Sequence, residues 1–373
     1  MRILINAVSA KAGGGITYLV NLLKYLPKIM SEDEFLCVIQ DIELPKEVYS
    51  HKNLDIRVIK QASGNVLKRY WWENTGLLKL CKTWKTDLLY CIANMTPIIP
   101  PPCPKVVMIQ NVAPLTFRVL SMLLKHEGPK KFIQMFANNV LTLIASATSQ
   151  KTIVLSKATQ LLLKRWLPFI DTEIIYHGIN TSAFTNTSPR PIKAGNEPYF
   201  IFVSNLYVYK GLEYIVEAYK INSSLPKTYI AGFPFDNKYV NNIKNLIEIN
   251  NLKDKIIFLD AVSYKELSGW YANALGMVYS SWCENCPNIL LEAKACGCPI
   301  IAMNIGPMPE LCNNQEIIVN PFDGKGLAEG MQKAVYISKT PERIQQLKDF
   351  TDTFTWEAAM VKHKNCFKEI NDN

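Results

Sequence analysis

Short apolar runs alternate with amphipathic segments along most of the chain. In the first half, residues 2–8 form a mostly apolar run typical of a buried strand, and residues 16–26 carry apolar side chains at helical spacing. Ser156 is a suitable N-cap for a helix over 157–166. Further strands are predicted at 35–40, 55–59, 88–90, 105–109, 151–155 and 173–176. This alternation predicts a parallel sheet covered by helices.

The second half repeats the pattern after a break. Residues 181–198 are rich in Asn, Thr, Ser, Gly and Pro, and we interpret them as a linker. The alternation then predicts strands at 199–203, 227–231, 256–259, 276–279 and 299–302, and helices at 211–219, 239–250, 264–274 and 287–296. A final helical pattern covers 356–370. We therefore predict an α/β protein of two βα domains, over 1–180 and 199–353, with a helical segment over 354–373. In open parallel sheets, ligands bind in the crevice at the carboxyl ends of the strands.

Composition agrees with two folded domains. A length of 373 residues corresponds to about two domains of roughly 150 residues each, and 49% hydrophobic residues supply a core for both. This composition excludes a disordered, collagen-like or disulfide-dense chain. The net charge of +9 is mild for this length. It favours an anionic small substrate or an anionic membrane surface over nucleic acid, which we do not expect as a partner.

The ten cysteines are interpreted as reduced thiols. The apolar run at residues 2–8 is too short for the core of an export signal, so the expected compartment is the cytoplasm. No uncharged apolar stretch of about 18 residues occurs, and we predict no transmembrane helix.

Residues 282–299 form the segment with the strongest chemical signal. Pro287 suits the first position of a helix and Gly297 suits its C-terminal cap, so the amino end of this helix faces the loop that carries Glu284. Free N–H groups and the helix dipole at that end favour anionic or hydroxyl-rich ligands. Glu292 shares a helix face with apolar Ile289 and therefore needs partners. Sugar hydroxyls would satisfy it, and so would an ordinary structural contact.

This segment resembles the donor-site motif of family 4 glycosyltransferases, retaining enzymes of the GT-B fold that in bacteria often build surface polysaccharides. The motif consists of Glu284 and Glu292 in an E-x7-E arrangement, followed by Ala293, Gly297 and Pro299. Other matching segments occur in the expected order at 12–15, 176–180, 202–211, 306–310 and 354–357. The resemblance implies two Rossmann-like domains facing each other across a crevice. The first would bind the acceptor and the second the nucleotide-sugar donor, with the last helix crossing back to the first.

The resemblance also implies residue roles. Glu284 would bind hydroxyls of the donor sugar, Glu292 would hold the ribose, and Lys210 would neutralise the departing diphosphate. By sequence alone, a solvated lysine before a helix is the more probable interpretation of Lys210. The catalytic set is Glu284, Lys210 and Gln110, and the donor-binding set is Gly14, Gly15, Asn205, Lys210, Glu284, Asn285, Cys286, Pro287 and Glu292. The glycines fit a simple strand-to-helix turn equally well.

Two positions depart from the family pattern. Asn205 stands where members often carry an Arg that completes a diphosphate clamp with the lysine, so the clamp has one cation fewer. Gln110 stands where a His is common; it can bond a sugar hydroxyl but cannot titrate. Retaining chemistry in which the donor phosphate acts as the base remains compatible with both changes, although no protein group is assigned as a general base.

The cysteines offer a rival interpretation of the same segment. Cys283, Cys286, Cys296 and Cys298 could in principle bind zinc, but a helix about 15 Å long would hold the two pairs too far apart for one ion. Buried thiols are the preferred interpretation. No D-x-D pair occurs for a metal-bound diphosphate mechanism. We therefore expect no metal site and no cofactor besides the nucleotide diphosphate sugar, which is a substrate.

The sequence thus predicts a hexosyltransferase. It would transfer a hexosyl group, with retention and without metal, from a nucleotide diphosphate sugar to a hydroxyl of a glycan or lipid-linked saccharide. The alternatives are a non-catalytic sugar-nucleotide-binding subunit or sensor, and another GT-B enzyme such as a nucleotide-sugar epimerase. Residues 117–131 mix apolar and basic side chains and suggest peripheral contact with the inner face of the cell membrane. An ordinary core helix with a basic rim is the favoured alternative for that stretch.

Overall fold

The computed structural model describes residues 1–10, 13–62, 66–259, 262–312, 316–337 and 339–372. Ala12, part of the predicted glycine-rich segment at 12–15, lies outside these residues. The chain divides into two compact units. The first unit consists of Met1–Gly178 and Trp356–Asn373, and the second consists of Ile179–Thr355.

A parallel sheet of seven strands forms the centre of the first unit, counted within the described residues. The strands are β1 Arg2–Asn6, β2 Glu34–Ile39, β3 Leu54–Val58, β4 Leu88–Cys91, β5 Lys105–Ile109, β6 Lys151–Val154 and β7 Thr172–Ile174. Their order is β3-β2-β1-β4-β5-β6-β7, and Ile3 of β1 lies opposite Phe35 on one side and Leu88 on the other. The order reverses between β1 and β4, which is where ligands of such sheets bind.

Helices cover this sheet because each carries an apolar face. They are α1 Gly14–Ile29, α2 Val66–Glu73, α3 Gly76–Thr83, α4 Phe117–His126, α5 Pro129–Ala147 and α6 Lys157–Lys164, with α14 Trp356–Asp372 at the end of the chain. Leu19, Leu22, Leu23 and Leu26 of α1 are all buried. This spacing places them on one face of the helix and confirms the helix predicted from the same residues.

The second unit has six parallel strands among the residues that the structure describes, in the order β10-β9-β8-β11-β12-β13. These are β8 Tyr199–Val203, β9 Lys227–Ala231, β10 Ile256–Phe258, β11 Gly276–Tyr279, β12 Ile300–Met303 and β13 Ile317–Val319. Its helices are α7 Leu212–Ile221, α8 Asn237–Ile249, α9 Tyr264–Asn273, α10 Asn288–Ala295, α11 Met308–Leu311, α12 Gly324–Val335 and α13 Pro341–Thr351. The two parallel sheets confirm the predicted α/β class with two Rossmann-like units.

Residues 181–198 lie in the second unit. Short 3-10 turns occur there at Thr181–Ala183 and Ile192–Ala194. The backbone N–H of Thr185 donates to Ser268 Oγ at 3.1 Å, and Ser188 Oγ lies 2.7 Å from the same hydroxyl. This segment, interpreted from its composition as a linker, therefore makes specific contacts with α9.

Several elements gave no usable pattern in the sequence. Helix α12 contains three glycines, which lower helix propensity and hide the apolar face. At Gly330 a Cβ would lie 2.9 Å from Val319 Cγ1, so the glycine allows α12 to pack closely on β13. The basic apolar stretch at 117–131 is divided by Gly128, whose φ is +87°, into the whole of α4 and the start of α5.

The last helix packs on α1 through a buried polar cluster. Tyr18 Oη lies 2.5 Å from Tyr90 Oη and 2.9 Å from His363 Nε2. His363 Nδ1 lies 2.8 Å from the carbonyl oxygen of Ala359. Because a carbonyl can only accept, Nδ1 carries the proton and Nε2 accepts from Tyr18. Burial lowers the pKa of His363 to about 4, so the imidazole is neutral at pH 7.

We predict that this histidine weakens the fold on acidification. Its pKa is about 4 when folded and 6.5 unfolded, so the unfolded chain binds the extra proton and stability falls as pH drops from 6.5 to 4. The loss is at most about 3.4 kcal/mol, for a difference of about 2.5 pKa units at 1.36 kcal/mol per unit. Urea unfolding of the wild type and His363→Gln at pH 7.0, 5.5 and 4.5 measures it. The wild type should lose more free energy of unfolding than the variant; equal losses would contradict the prediction.

Candidate functional site

The predicted site residues fall into one group in each unit. Gly14, Gly15 and Gln110 lie in the first unit. Asn205, Lys210 and Glu292 lie in the second, together with the loop at 284–287.

A tight turn after β8 places Lys210. The turn Val208–Lys210 leads into Gly211, which caps α7 in the left-handed region with φ 67°. A Cβ at Gly211 would lie 2.4 Å from the carbonyl oxygen of Ser280, so only glycine fits there. Ser280 Oγ donates to the carbonyl oxygen of Lys210 at 2.9 Å. The turn is thereby fixed against the carboxyl end of β11.

Lys210 and Glu284, both predicted site residues, form an ion pair. Lys210 Nζ lies 2.5 Å from Glu284 Oε1, and Ser281 Oγ donates to the same oxygen at 2.5 Å. The two charged side chains are only 10% and 12% exposed. The interpretation of Lys210 as a solvated lysine is therefore wrong: the turn before Gly211 directs the side chain inward to a carboxylate. The pair provides a cation and a hydroxyl-binding acceptor side by side.

Glu292 is buried on α10, and one of its two carboxylate oxygens accepts a hydrogen bond. Tyr264 Oη donates to Glu292 Oε1 at 3.0 Å. Glu292 Oε2 is buried and makes no hydrogen bond to any described residue. Burial raises the pKa of this carboxyl to about 7, and the bond from Tyr264 opposes the shift. Oε1 of Glu292 thus has a structural hydrogen bond, whereas Oε2 can still accept one from a ligand.

The loop before α10 departs from one prediction. Pro287 is the N-cap, with an extended backbone at φ −76° and ψ 97°, and Asn288 is the first helical residue. The predicted first-turn position of Pro287 is therefore wrong by one residue. Gly297 follows the helix with φ +69°, as a C-terminal glycine does. Asn285 is buried, and Cys286 is partly exposed.

Asn205 lies two residues after β8 and is exposed. Its position is that of the family's arginine in the sequence, but its amide brings no charge to the loop that holds Lys210.

The three predicted residues of the first unit lie at the carboxyl end of its sheet. Gly14 and Gly15 are the first residues of α1, behind the N-cap Gly13. A Cβ at Gly15 would lie 3.6 Å from Gln110 Oε1, so these two residues are neighbours. The backbone N–H of Gln110 donates to Asn94 Oδ1 at 3.0 Å. The glycines therefore serve as the strand-to-helix turn and also adjoin Gln110.

Three residues at the second-unit site escaped the sequence analysis. Ser281 bonds Glu284, Tyr264 bonds Glu292, and the Tyr209 ring lies 5.3 Å from Lys210 Nζ. Tyr209 adjoins Lys210 in the sequence and Ser281 lies three residues before Glu284, so both could have been included. Tyr264 is 28 positions before Glu292, and only the packing of α9 on α10 brings the two together.

The cysteines of this segment are free thiols, and Cys283, Cys296 and Cys298 are buried. Burial raises the pKa of Cys298 to about 11. Across the described part of the chain, no group of three or more His, Cys, Asp or Glu side chains is arranged to hold a metal ion.

Comparison with known proteins finds a family model that matches most of the second unit. Residues 184–348 match the family model of glycosyl transferases group 1, and this range contains Lys210, Glu284 and Glu292. The O-antigen chain mannosyltransferase RfbU of Salmonella typhimurium is 26% identical over 191 residues, which are 50% of this chain and 51% of that protein. The sulfoquinovosyl transferase SQD2 of Arabidopsis thaliana is 25% identical over 236 residues, 60% of this chain and 44% of its own.

Solved structures match over nearly the whole chain. Sucrose-phosphate synthase from Thermosynechococcus elongatus superposes with a TM-score of 0.76 at 15% identity, covering 99% of both chains. Anabaena HepE in complex with UDP and glucose superposes with a TM-score of 0.71 at 16% identity, covering 99% of this chain and 100% of its own. These likenesses confirm the predicted GT-B fold.

The chain spans about half the length of the curated relatives that it matches. Its second unit carries the matched family segment, and its fold is that of GT-B glycosyltransferases. The chain therefore resembles glycosyltransferases in the sequence of its second unit and in its fold.

Proposed function

We propose that this chain transfers a hexosyl group from a nucleotide diphosphate sugar to a hydroxyl of a glycan or lipid-linked saccharide, with retention and without a metal. The observations that carry the proposal are the buried Lys210–Glu284 pair in the loop before α10, and Glu292 on α10, whose Oε2 makes no hydrogen bond to any described residue. The likeness to HepE, solved with UDP and glucose, supports a nucleotide-sugar donor. The likeness to an O-antigen mannosyltransferase supports a role in polysaccharide synthesis.

Lys210 supplies the charge that this reaction needs. The bond between the anomeric carbon and the phosphate oxygen breaks, and the nucleoside diphosphate leaves with the electron pair. A fixed cation stabilises the charge that develops on that oxygen. The acceptor oxygen then bonds to the anomeric carbon on the same face, and its proton passes to the departing phosphate. No protein base is required, in agreement with the amide at Gln110.

Glu284 and Glu292 bind hydroxyls in this scheme. When the diphosphate forms an ion pair with Lys210 in place of Glu284, the Glu284 carboxylate can accept hydrogen bonds from the donor sugar. Glu292 accepts a ribose hydroxyl at Oε2 while Tyr264 holds Oε1. Ribose hydroxyls would supply the missing hydrogen bond at little cost in ordering, because Tyr264 already orients the carboxylate.

The second candidate is a sensor that binds the sugar nucleotide without turnover. Its support is the pair of departures at Asn205 and Gln110, which remove one cation and one titratable group from the family pattern. The two candidates differ in turnover: a sensor binds the donor but releases no nucleoside diphosphate, even with an acceptor present.

We also propose a cytoplasmic chain that contacts the inner membrane face through α4 and α5. Ile133, Phe136 and Val140 share one face of α5 and are exposed, as are Phe117 and Leu124 of α4. Lys125 and Lys130 are exposed nearby and can attract anionic lipid. None of the described helices is long and apolar enough to cross a membrane.

We predict a pH-dependent donor affinity set by Glu292. A panel of nucleotide diphosphates and their hexosides, tested by thermal shift with and without EDTA, identifies the preferred base. Because the pKa of Glu292 is about 7, the ionised acceptor is lost on acidification. The pH values 8 and 6 lie one unit above and one unit below the pKa of Glu292. The ionised fraction, and with it the affinity for the preferred sugar nucleotide, should therefore fall by about tenfold between them.

Glu292→Gln should bind the donor more weakly at pH 8 and show a flat profile in calorimetry. The matched control is Glu329→Gln, an exposed carboxylate on α12, which should behave as the wild type. A pH profile that persists in Glu292→Gln, or a thermal shift abolished by EDTA, would contradict the proposed donor site.

Lys210→Met should reduce kcat by roughly 10²–10³-fold, the usual effect of removing one group that stabilises developing charge. The change also leaves Glu284 buried without its cation. The double variant Lys210→Met, Glu284→Gln should therefore recover melting temperature but not activity. Lys220→Met, an exposed lysine of α7, is the control. Release of nucleoside diphosphate measures turnover; a Lys210→Met enzyme with normal kcat would exclude the proposed role.

Flotation with phosphatidylglycerol vesicles tests the membrane contact. At low salt the chain should float with anionic vesicles and not with phosphatidylcholine alone, because both apolar insertion and lysine charge contribute. The double change Ile133→Ser, Phe136→Ser should abolish flotation. Leu246→Ser, at an exposed apolar position of α8, should not. A wild-type chain that stays in the soluble fraction at low salt refutes this part of the proposal.

A further inference from the structure

A polar cavity opens in the first unit, at the carboxyl ends of β1, β4 and β5. Its volume is about 160 Å³, and its lining includes Asn6, Arg69, Glu73, Asn94, Gln110 and Thr142. The strand order reverses between β1 and β4, so the cavity occupies the switch point of this sheet. Arg69 and Glu73 come from α2, a helix that the sequence pattern did not predict.

Asn94 and Thr142, which line this cavity, already use their polar atoms in hydrogen bonds within the protein. Asn94 Oδ1 accepts from the backbone N–H groups of Gln110 and Asn111 at 3.0 and 2.9 Å. Asn94 Nδ2 donates to the carbonyl oxygen of Asn111 at 2.6 Å. Thr142 Oγ1 donates to the carbonyl oxygen of Asn138 at 2.7 Å. Asn94 therefore fixes the loop after β5 and has little left to offer a ligand.

Asn6, Arg69 and Glu73, which also line this cavity, have polar atoms that can still form hydrogen bonds. Asn6 Nδ2 donates to Glu73 Oε1 at 2.9 Å, and Arg69 Nε lies 3.9 Å from Glu73 Oε2, beyond hydrogen-bond distance. Glu73 Oε2, Arg69 Nε and Asn6 Oδ1 are buried and make no hydrogen bond within the described residues. The Glu73 side chain is only 3% exposed. Two acceptors and one donor on residues that line the cavity thus lack a hydrogen bond among the described residues, although Arg69 and Glu73 attract each other as an ion pair.

This combination matches a hydroxyl group. A hydroxyl can accept from Arg69 Nε while it donates to Glu73 Oε2, and a second hydroxyl can donate to Asn6 Oδ1. An ionised carboxylate or phosphodiester can only accept, so it leaves both acceptors unsatisfied. A cavity of roughly 150 Å³ holds a six-membered ring the size of benzene.

We propose that this cavity binds an uncharged, hydroxyl-bearing ring of the acceptor, a sugar or a cyclic polyol, through Arg69, Glu73 and Asn6. The proposal rests on the proposed function and adds to it the chemical class of the acceptor. It assigns the discrimination between neutral and anionic acceptors to Glu73.

Binding to the full chain, measured by saturation-transfer NMR and calorimetry without any nucleotide, tests this. The neutral probes are methyl α-D-mannopyranoside, methyl α-D-glucopyranoside and myo-inositol; the anionic probes are glucuronate and mannose 6-phosphate. At least one neutral probe should bind, and the anionic probes should bind at least about tenfold more weakly. Glu73→Gln and Arg69→Met should each weaken the neutral probe by about tenfold, as expected when a hydrogen bond to a charged group is lost.

The matched control is Glu47→Gln, a carboxylate that is 75% exposed in the same unit, and it should bind as the wild type does. Melting curves of every variant report folding. If no neutral probe binds, if an anionic probe binds more tightly, or if Glu73→Gln binds like the wild type, the proposal is wrong. Donor binding and turnover are measured separately. Their failure would refute the proposed function, whereas loss of neutral-probe binding with an intact donor site refutes only this inference.

Discussion

Parallel strand pairing is the constraint on which both candidate sites depend. In a parallel sheet all strands end at the same edge, so the loops that follow them are neighbours in space even when they are far apart in sequence. Lys210 follows β8 and Glu284 follows β11, and pairing of these two adjacent strands brings residues 74 positions apart to 2.5 Å. In the first unit, the pairing of β1, β4 and β5 brings Asn6 and Gln110 to one cavity in the same way.

Each unit also contains a buried carboxylate with one oxygen hydrogen-bonded and the other without a hydrogen bond among the described residues. Tyr264 holds Oε1 of Glu292, and Asn6 holds Oε1 of Glu73. A buried acceptor without its hydrogen bond costs about 1–3 kcal/mol of stability. Such a cost is common where a protein keeps a group ready for a ligand, because the ligand supplies the missing bond. Burial removes water from both carboxylates. This raises the pKa of each carboxyl and also makes a missing hydrogen bond costly.

The periodic pattern of the sequence predicted every described strand except β13, and it missed several helices. Strands such as β1 and β8 are runs of apolar residues buried on both faces, which is a strong signal. Helix α2 has only eight residues and buries the charged Glu73 beside the core residue Trp72, so its apolar pattern is short and interrupted and predicted no helix. The cavity built on α2 was therefore missed. The E-x7-E motif located Glu284 and Glu292, but burial of Lys210 depends on Gly211 and Ser280 and could not be read from local sequence.

Because Asn205 carries no charge, the proposed reaction depends on Lys210 as the cation for the diphosphate, and Lys210 is already paired with Glu284. A lysine held by a buried carboxylate is not free to meet a diphosphate, so the donor must displace Glu284 before it gains the full interaction. The incoming diphosphate carries more negative charge than one carboxylate, and repulsion between the two favours rotation of Glu284 away from the phosphate. A sugar with hydroxyls within reach stabilises the rotated carboxylate, whereas a free nucleoside diphosphate does not. In the proposed reaction, the pair would therefore favour the intact donor over the nucleoside diphosphate that leaves after transfer.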